Sequence, residues 1–127
     1  MREILFRGKT SSGGWVYGGY VQSDEVICPK TSALRYYIDP STVGQYTGLL
    51  DKNGVKIFEG DIVKFKAIKG YEAYGKILWN EKEATFYSIG KRKANKHFKT
   101  ISYMINTVGI EVIGNVHDNP ELLEENK

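Results

Sequence analysis

GQYTGLLDKNGVKIFEGDIVKF, residues 44–65, is the stretch on which the fold turns. Two turn signals lie inside it, each flanked by apolar residues. In DKNG (51–54), Asn53 and Gly54 are residue types that tolerate the positive φ of a tight hairpin turn. Leu49 before that turn then faces Val55 and Ile57 after it across two strands. EGD (59–61) is the second signal: Gly60 frees the backbone, and Asp61 is able to bond nearby amides just before a strand begins. That strand, DIVKFKAI (61–68), alternates cleanly, with Val63, Phe65 and Ala67 on one face. Gly54 and Gly60 are therefore expected in turns, with positive φ at Asn53 or Gly54.

Strand signals continue on both sides. ILFR (4–7) precedes the loop KTSSGG, which opens into WVYGGYVQ (15–22), where glycines among aromatics suit a hairpin that bends or bulges. EVIC (25–28) stops at Pro29, RYYID (35–39) stops at Pro40, and TVGQYTG (42–48) resumes an extended pattern. GKILWN (75–80) and ATFYSI (84–89) follow DIVKFKAI at short spacing, joined by a polar EKE turn. Short strands at such intervals argue for an all-β sandwich or barrel. ANKHFKTISYMINT (94–107) fits two readings. Phe98, Ile101, Met104 and Ile105 fall at helical spacing, while Ile101, Tyr103 and Ile105 alternate. VGIEVIGNV (108–116) reads as a strand. In DNPELLEE, Asn119 caps a short helix with Pro120 at its first position and Glu121 in its first turn.

Composition bounds the class. The chain has 127 residues, 41% hydrophobic and 13% aromatic, enough to bury a core without disulfides or metal. No apolar run approaches the roughly 18 residues of a membrane span. MREILFRGKTSS has no apolar segment of the kind a secretory signal needs, and the single Cys28 fits a reducing compartment, so the expected location is the cytoplasm. Cys28 is expected to act as a small buried hydrophobe. Charge is uneven: residues 61–99 hold 10 Lys/Arg against 4 Asp/Glu, and residues 100–127 hold 1 against 5. A basic middle and an acidic end suit a polyanion partner or head-to-tail contact between copies.

A turn, a short strand, then GDIV and a later GKI is how many SH3-like barrels begin. TVGQYTGLLDKNGVKIFEGDIV further resembles the central signature of the YopX family of phage and prophage proteins. MREILFRGK with WVYGGY resembles that family's start, and EVIGNVHDNPELLEE its end. The resemblance spans nearly the whole chain, least so between about Lys66 and Tyr103. It implies one YopX-like domain of mainly β structure: an N-terminal β subdomain (1–48), an SH3-like barrel core (49–119) and a short C-terminal helix or tail (120–127). It also implies phage origin, and neither a reaction nor catalytic residues.

Candidate sites rest on their own chemistry. RGKTS (7–11) ends like a phosphate-binding loop, but Glu3 stands where the first glycine belongs and SSGGW does not start a helix. Glu59 and Asp61 read as turn and strand-start residues rather than an acid–base pair. His97 and His117 have no Cys or carboxylate at ligand spacing, so neither metal nor cofactor is expected. No nucleophile motif is present, and no enzyme is expected. The basic run KRKANKHFK is the best functional feature. Lys91, Arg92, Lys93, Lys96 and Lys99 would neutralise phosphates, with Phe98 stacking on a base or packing in the core. Trp15, Tyr17, Tyr36, Tyr37 and Tyr46 suit core or interface packing. Two functions remain: a protein-interaction or structural module, binding further copies or a host or phage protein, or a nucleic-acid-binding accessory protein.

Overall fold

Strands dominate the computed structural model, which describes residues 2–66, 70–90 and 98–123. The chain divides into two units, Met1–Gly48 and Leu49–Lys127.

The first unit holds β1 (Phe6–Lys9), β2 (Trp15–Val21), β3 (Val26–Cys28), β4 (Tyr36–Tyr37) and most of β5 (Asp39–Leu50), all antiparallel in the order β4-β3-β2-β1-β5. Only Ile38 separates β4 from β5, and its N–H donates to the Glu25 carbonyl at 3.1 Å. One nearly continuous run therefore borders β3 at its start and β1 further along, which requires the sheet to curl. Register puts Phe6, Gly18, Tyr20 and Ile27 on one face, where the Phe6 and Tyr20 rings lie 5.8 Å apart. The glycines in WVYGGY have a specific use there. A Cβ on Gly18 would come within 2.2 Å of the Cys28 carbonyl oxygen, so the approach of β3 demands glycine.

The second unit holds β6 (Lys56–Phe58), β7 (Asp61–Lys66), β8 (Glu72–Asn80), β9 (Thr85–Gly90), β10 (Phe98–Thr100), the helix α1 (Ile101–Thr107), β11 (Glu111–Asn115) and a 3-10 turn (Pro120–Leu123). Its antiparallel sheet runs β10-β9-β8-β7-β11, while β6 neighbours the end of β5. The expected SH3-like barrel is met only as far as antiparallel β structure, because among the described residues the order does not close on itself. Ile57, Val63, Ile77, Ile101, Met104 and Ile110 form the core, with Leu49, Phe65, Phe86, Ile105 and Val112 packed against it. Each fully buried aliphatic side chain contributes about 1.5–3 kcal/mol through water exclusion.

Of the stretch 94–107, residues 94–97 lie outside the described residues, and both periodicities have an outcome in the rest. Residues 98–100 pair as a strand and 101–107 coil as a helix that buries Ile101 and Met104 against the core. The switch is made by Thr100, whose Oγ1 accepts from the Tyr103 N–H at 3.1 Å and so caps the helix. Gly109, at φ +70, ends it by donating its N–H to the Met104 carbonyl. Of the expected helix or tail over 120–127, residues 124–127 lie outside the described residues, and Pro120–Leu123 form one 3-10 turn, closed by Leu122 N–H to the Asn119 carbonyl at 3.0 Å.

Candidate binding surface

The basic run is only partly on view. Lys91, Arg92, Lys93 and Lys96 lie outside the described residues, and of Phe98 the backbone alone is described, paired with Ile89. Lys99 is exposed, and its Nζ sits 5.2 Å from the ring centroid of Tyr103 on α1. Tyr103 is itself 53% exposed. Sequence reading offered Phe98 as the stacking ring and missed Tyr103, whose place beside Lys99 depends on the capped helix start.

The hairpin inside residues 44–65 is the more completely built surface. Asp51 is 6% exposed, and its carboxylate accepts three backbone N–H bonds. Oδ1 takes Asn53 N at 2.8 Å and Val55 N at 2.9 Å, while Oδ2 takes Val112 N at 2.8 Å from β11. Two backbone bonds close the turn, Asp51 N to Val55 O at 2.8 Å and Gly54 N to Asp51 O at 3.0 Å. A further one, Lys52 N to Ile110 O at 3.0 Å, ties it to the chain entering β11. Gly54 sits at φ +83, as the turn signal required. On either side of this fixed turn, Leu50 and Val55 are each 47% exposed. Two apolar side chains therefore stand on a rigid tip. Sequence signalled the turn, but gave no sign that its flanking apolar residues face solvent.

The remaining candidates have structural positions. Gly60 is in a turn at φ +91, and Asp61 is buried with Oδ2 accepting the Phe58 N–H at 2.7 Å. Glu59 is half-buried, Cys28 is half-buried and His117 is exposed, whereas His97 lies outside the described residues. Among the described residues, no group of three or more His, Cys, Asp or Glu is placed to hold a metal ion. In the first unit, Trp15 is half-buried with the Arg7 guanidinium 4.8 Å and the Lys9 ammonium 5.7 Å from its ring centroid. Tyr46 is buried, Tyr36 half-buried, and Tyr17 and Tyr37 are exposed. The exposed Arg35 guanidinium donates to Asp24 Oδ2 at 2.6 Å, a bond that raises the Arg35 pKa above its usual value.

The fold has a counterpart among solved structures. The crystal structure of protein EF1440 from Enterococcus faecalis is similar over 98% of this chain and 100% of that one, with a TM-score of 0.61 and 23% identity. At that identity the likeness concerns fold alone. None of the curated proteins is significantly similar to the chain. No helix among the described residues is long and apolar enough to cross a membrane. A family model described as YopX protein matches residues 7–124.

Proposed function

The chain belongs to the YopX family, and from that premise we propose that it is a non-catalytic accessory protein of phage or prophage origin, acting in the cytoplasm as a protein-interaction or structural module. The observation that carries this reading is the pair Leu50 and Val55, exposed on a turn that Asp51 holds rigid. Exposed apolar groups gain most from burial by a partner when no ordering cost must be met at binding. Fusing this tip to an antiparallel sheet, which we read as an SH3-like barrel in its finer architecture, presents it as a fixed knob. The partner is a second copy of the chain or a host or phage protein.

Light scattering over a micromolar concentration series tests the first partner, with Leu50→Lys and Val55→Lys expected to shift any dimer toward monomer. A photo-crosslinking residue at position 55, used in cells that carry the phage genes, tests the second. A wild-type monomer together with no crosslinked protein overturns the reading.

One observation favours nucleic acid as a second reading. Lys99, the last cation of the basic run, forms an exposed cation–ring pair with Tyr103. Such pairs suit phosphate contact and base stacking on a single strand.

A further inference from the structure

Asn53 is exposed and is followed by Gly54, the one residue type with no side chain to shield its amide nitrogen. That dipeptide is chemically labile. The Gly54 nitrogen, once deprotonated, attacks Cγ of Asn53; a C–N bond forms, ammonia leaves, and a five-membered succinimide results. Water then opens the ring at either carbonyl, giving aspartate or isoaspartate, so that water is the only co-reactant. In this structure the attacking nitrogen and the amides on either side of it are already engaged. The Gly54 N–H is donated to the Asp51 carbonyl at 3.0 Å, which opposes its deprotonation. The nitrogens of Asn53 and Val55, one on each side, are both anchored on Asp51 Oδ1. Turning the backbone between Asn53 and Gly54 to bring that nitrogen onto Cγ would carry the Val55 N–H with it, so the double anchor has to open.

We propose that Asn53 is a deamidation site kept latent by Asp51, and that its conversion dismantles the hairpin. Isoaspartate inserts an extra CH2 into the main chain between positions 53 and 54. The two amides that share Asp51 Oδ1 then no longer fit one oxygen. The new carboxylate also stands close to that of Asp51, where like charges repel. The loss of the Leu50–Val55 tip as a docking knob rests on the function proposed above, whereas the covalent step does not.

The test follows mass and isoaspartate content by peptide mapping of the full chain at 37 °C in mildly alkaline buffer. Wild type, Asp51→Asn and Asp51→Ala are compared with a short unstructured peptide spanning residues 49–57, with circular dichroism reporting whether each variant is folded. Asn53 should react slowest in wild type and fastest in the peptide. Folded Asp51→Asn should react about tenfold faster than wild type, the change expected when one bond to a charged acceptor is lost. Should Asp51→Ala not fold, Asp51→Asn and wild type in low urea still decide the matter. The inference is overturned if wild type deamidates at Asn53 as fast as the peptide, or if Asp51→Asn leaves the rate unchanged. It is equally overturned if another asparagine reacts first in folded Asp51→Asn. Binding of isoaspartate-containing protein in the crosslinking assay is read separately, so failure of the docking reading leaves the mass result intact.

Discussion

Replacing Asp51 with alanine removes one carboxylate and strands three amides of unequal importance. Asn53 and Val55 are exposed, so water can take over their N–H groups and each loss costs about 0.5 kcal/mol. Val112 is half-buried on β11, and its N–H loses its charged acceptor, which lies 61 residues away in sequence. A part-buried donor left without a charged acceptor costs about 2 kcal/mol. The total is about 3 kcal/mol. With a urea slope of about 1.5–3 kcal/mol/M for a domain of this size, the midpoint should fall by about 1–2 M. Asp51→Asn keeps one acceptor oxygen and should lose about half as much. The assay is equilibrium urea unfolding followed by circular dichroism, with the slope checked for constancy. A shift below about 0.3 M for Asp51→Ala would refute the claim that this carboxylate joins the hairpin to β11. If asparagine proved as costly as alanine, the charge rather than the acceptor geometry would be what matters.

Gly54→Val should destabilise by about 1 kcal/mol or more, because Gly54 sits at φ +83 while a Cβ there would meet nothing within 4 Å; an unchanged melting curve would contradict this. Glu25 and Ala84 occupy the left-handed region at φ 56 and 52, so Glu25→Gly and Ala84→Gly should each raise stability by about 0.5–1 kcal/mol in thermal unfolding. If the basic run binds nucleic acid, affinity for a labelled single strand should fall steeply with salt. Lys91, Arg92 and Lys93 changed together to Ala should weaken binding to all sequences alike while leaving folding intact, as fluorescence anisotropy and circular dichroism would show. On the same reading Tyr103→Ala should weaken binding at little cost in stability, since Tyr103 is 53% exposed; no binding by wild type at low salt removes the nucleic-acid reading.

Local chemistry explains which features were legible in the chain itself. A turn is decided by the φ values its own few residues tolerate, so DKNG and EGD announced turns at Gly54 and Gly60, and DKNG the positive φ that Gly54 adopts at +83. Asp61 announced its bond to Phe58 for the same reason, because donor and acceptor are three residues apart. Alternation in the sequence marked β7 as a strand, although its burial does not follow a period of two: Asp61, Ile62 and Val63 are all buried, so both faces of its first half are covered. Other features depend on segments that meet only in three dimensions. Residues 94–107 carried both periods, and the choice fell at Thr100, which pairs with Tyr87 as the last residue of the strand and caps a helix that the core can accept. Gly18 is needed because Cys28 and Pro29 pass close by, a demand visible only once β3 has folded onto β2. Asp51 looked like an ordinary turn residue until β11 brought the Val112 amide to its second oxygen. The exposure of Leu50 and Val55 is of the same kind: their apolar character is written in the sequence, but only the packing of the core without them leaves them facing water.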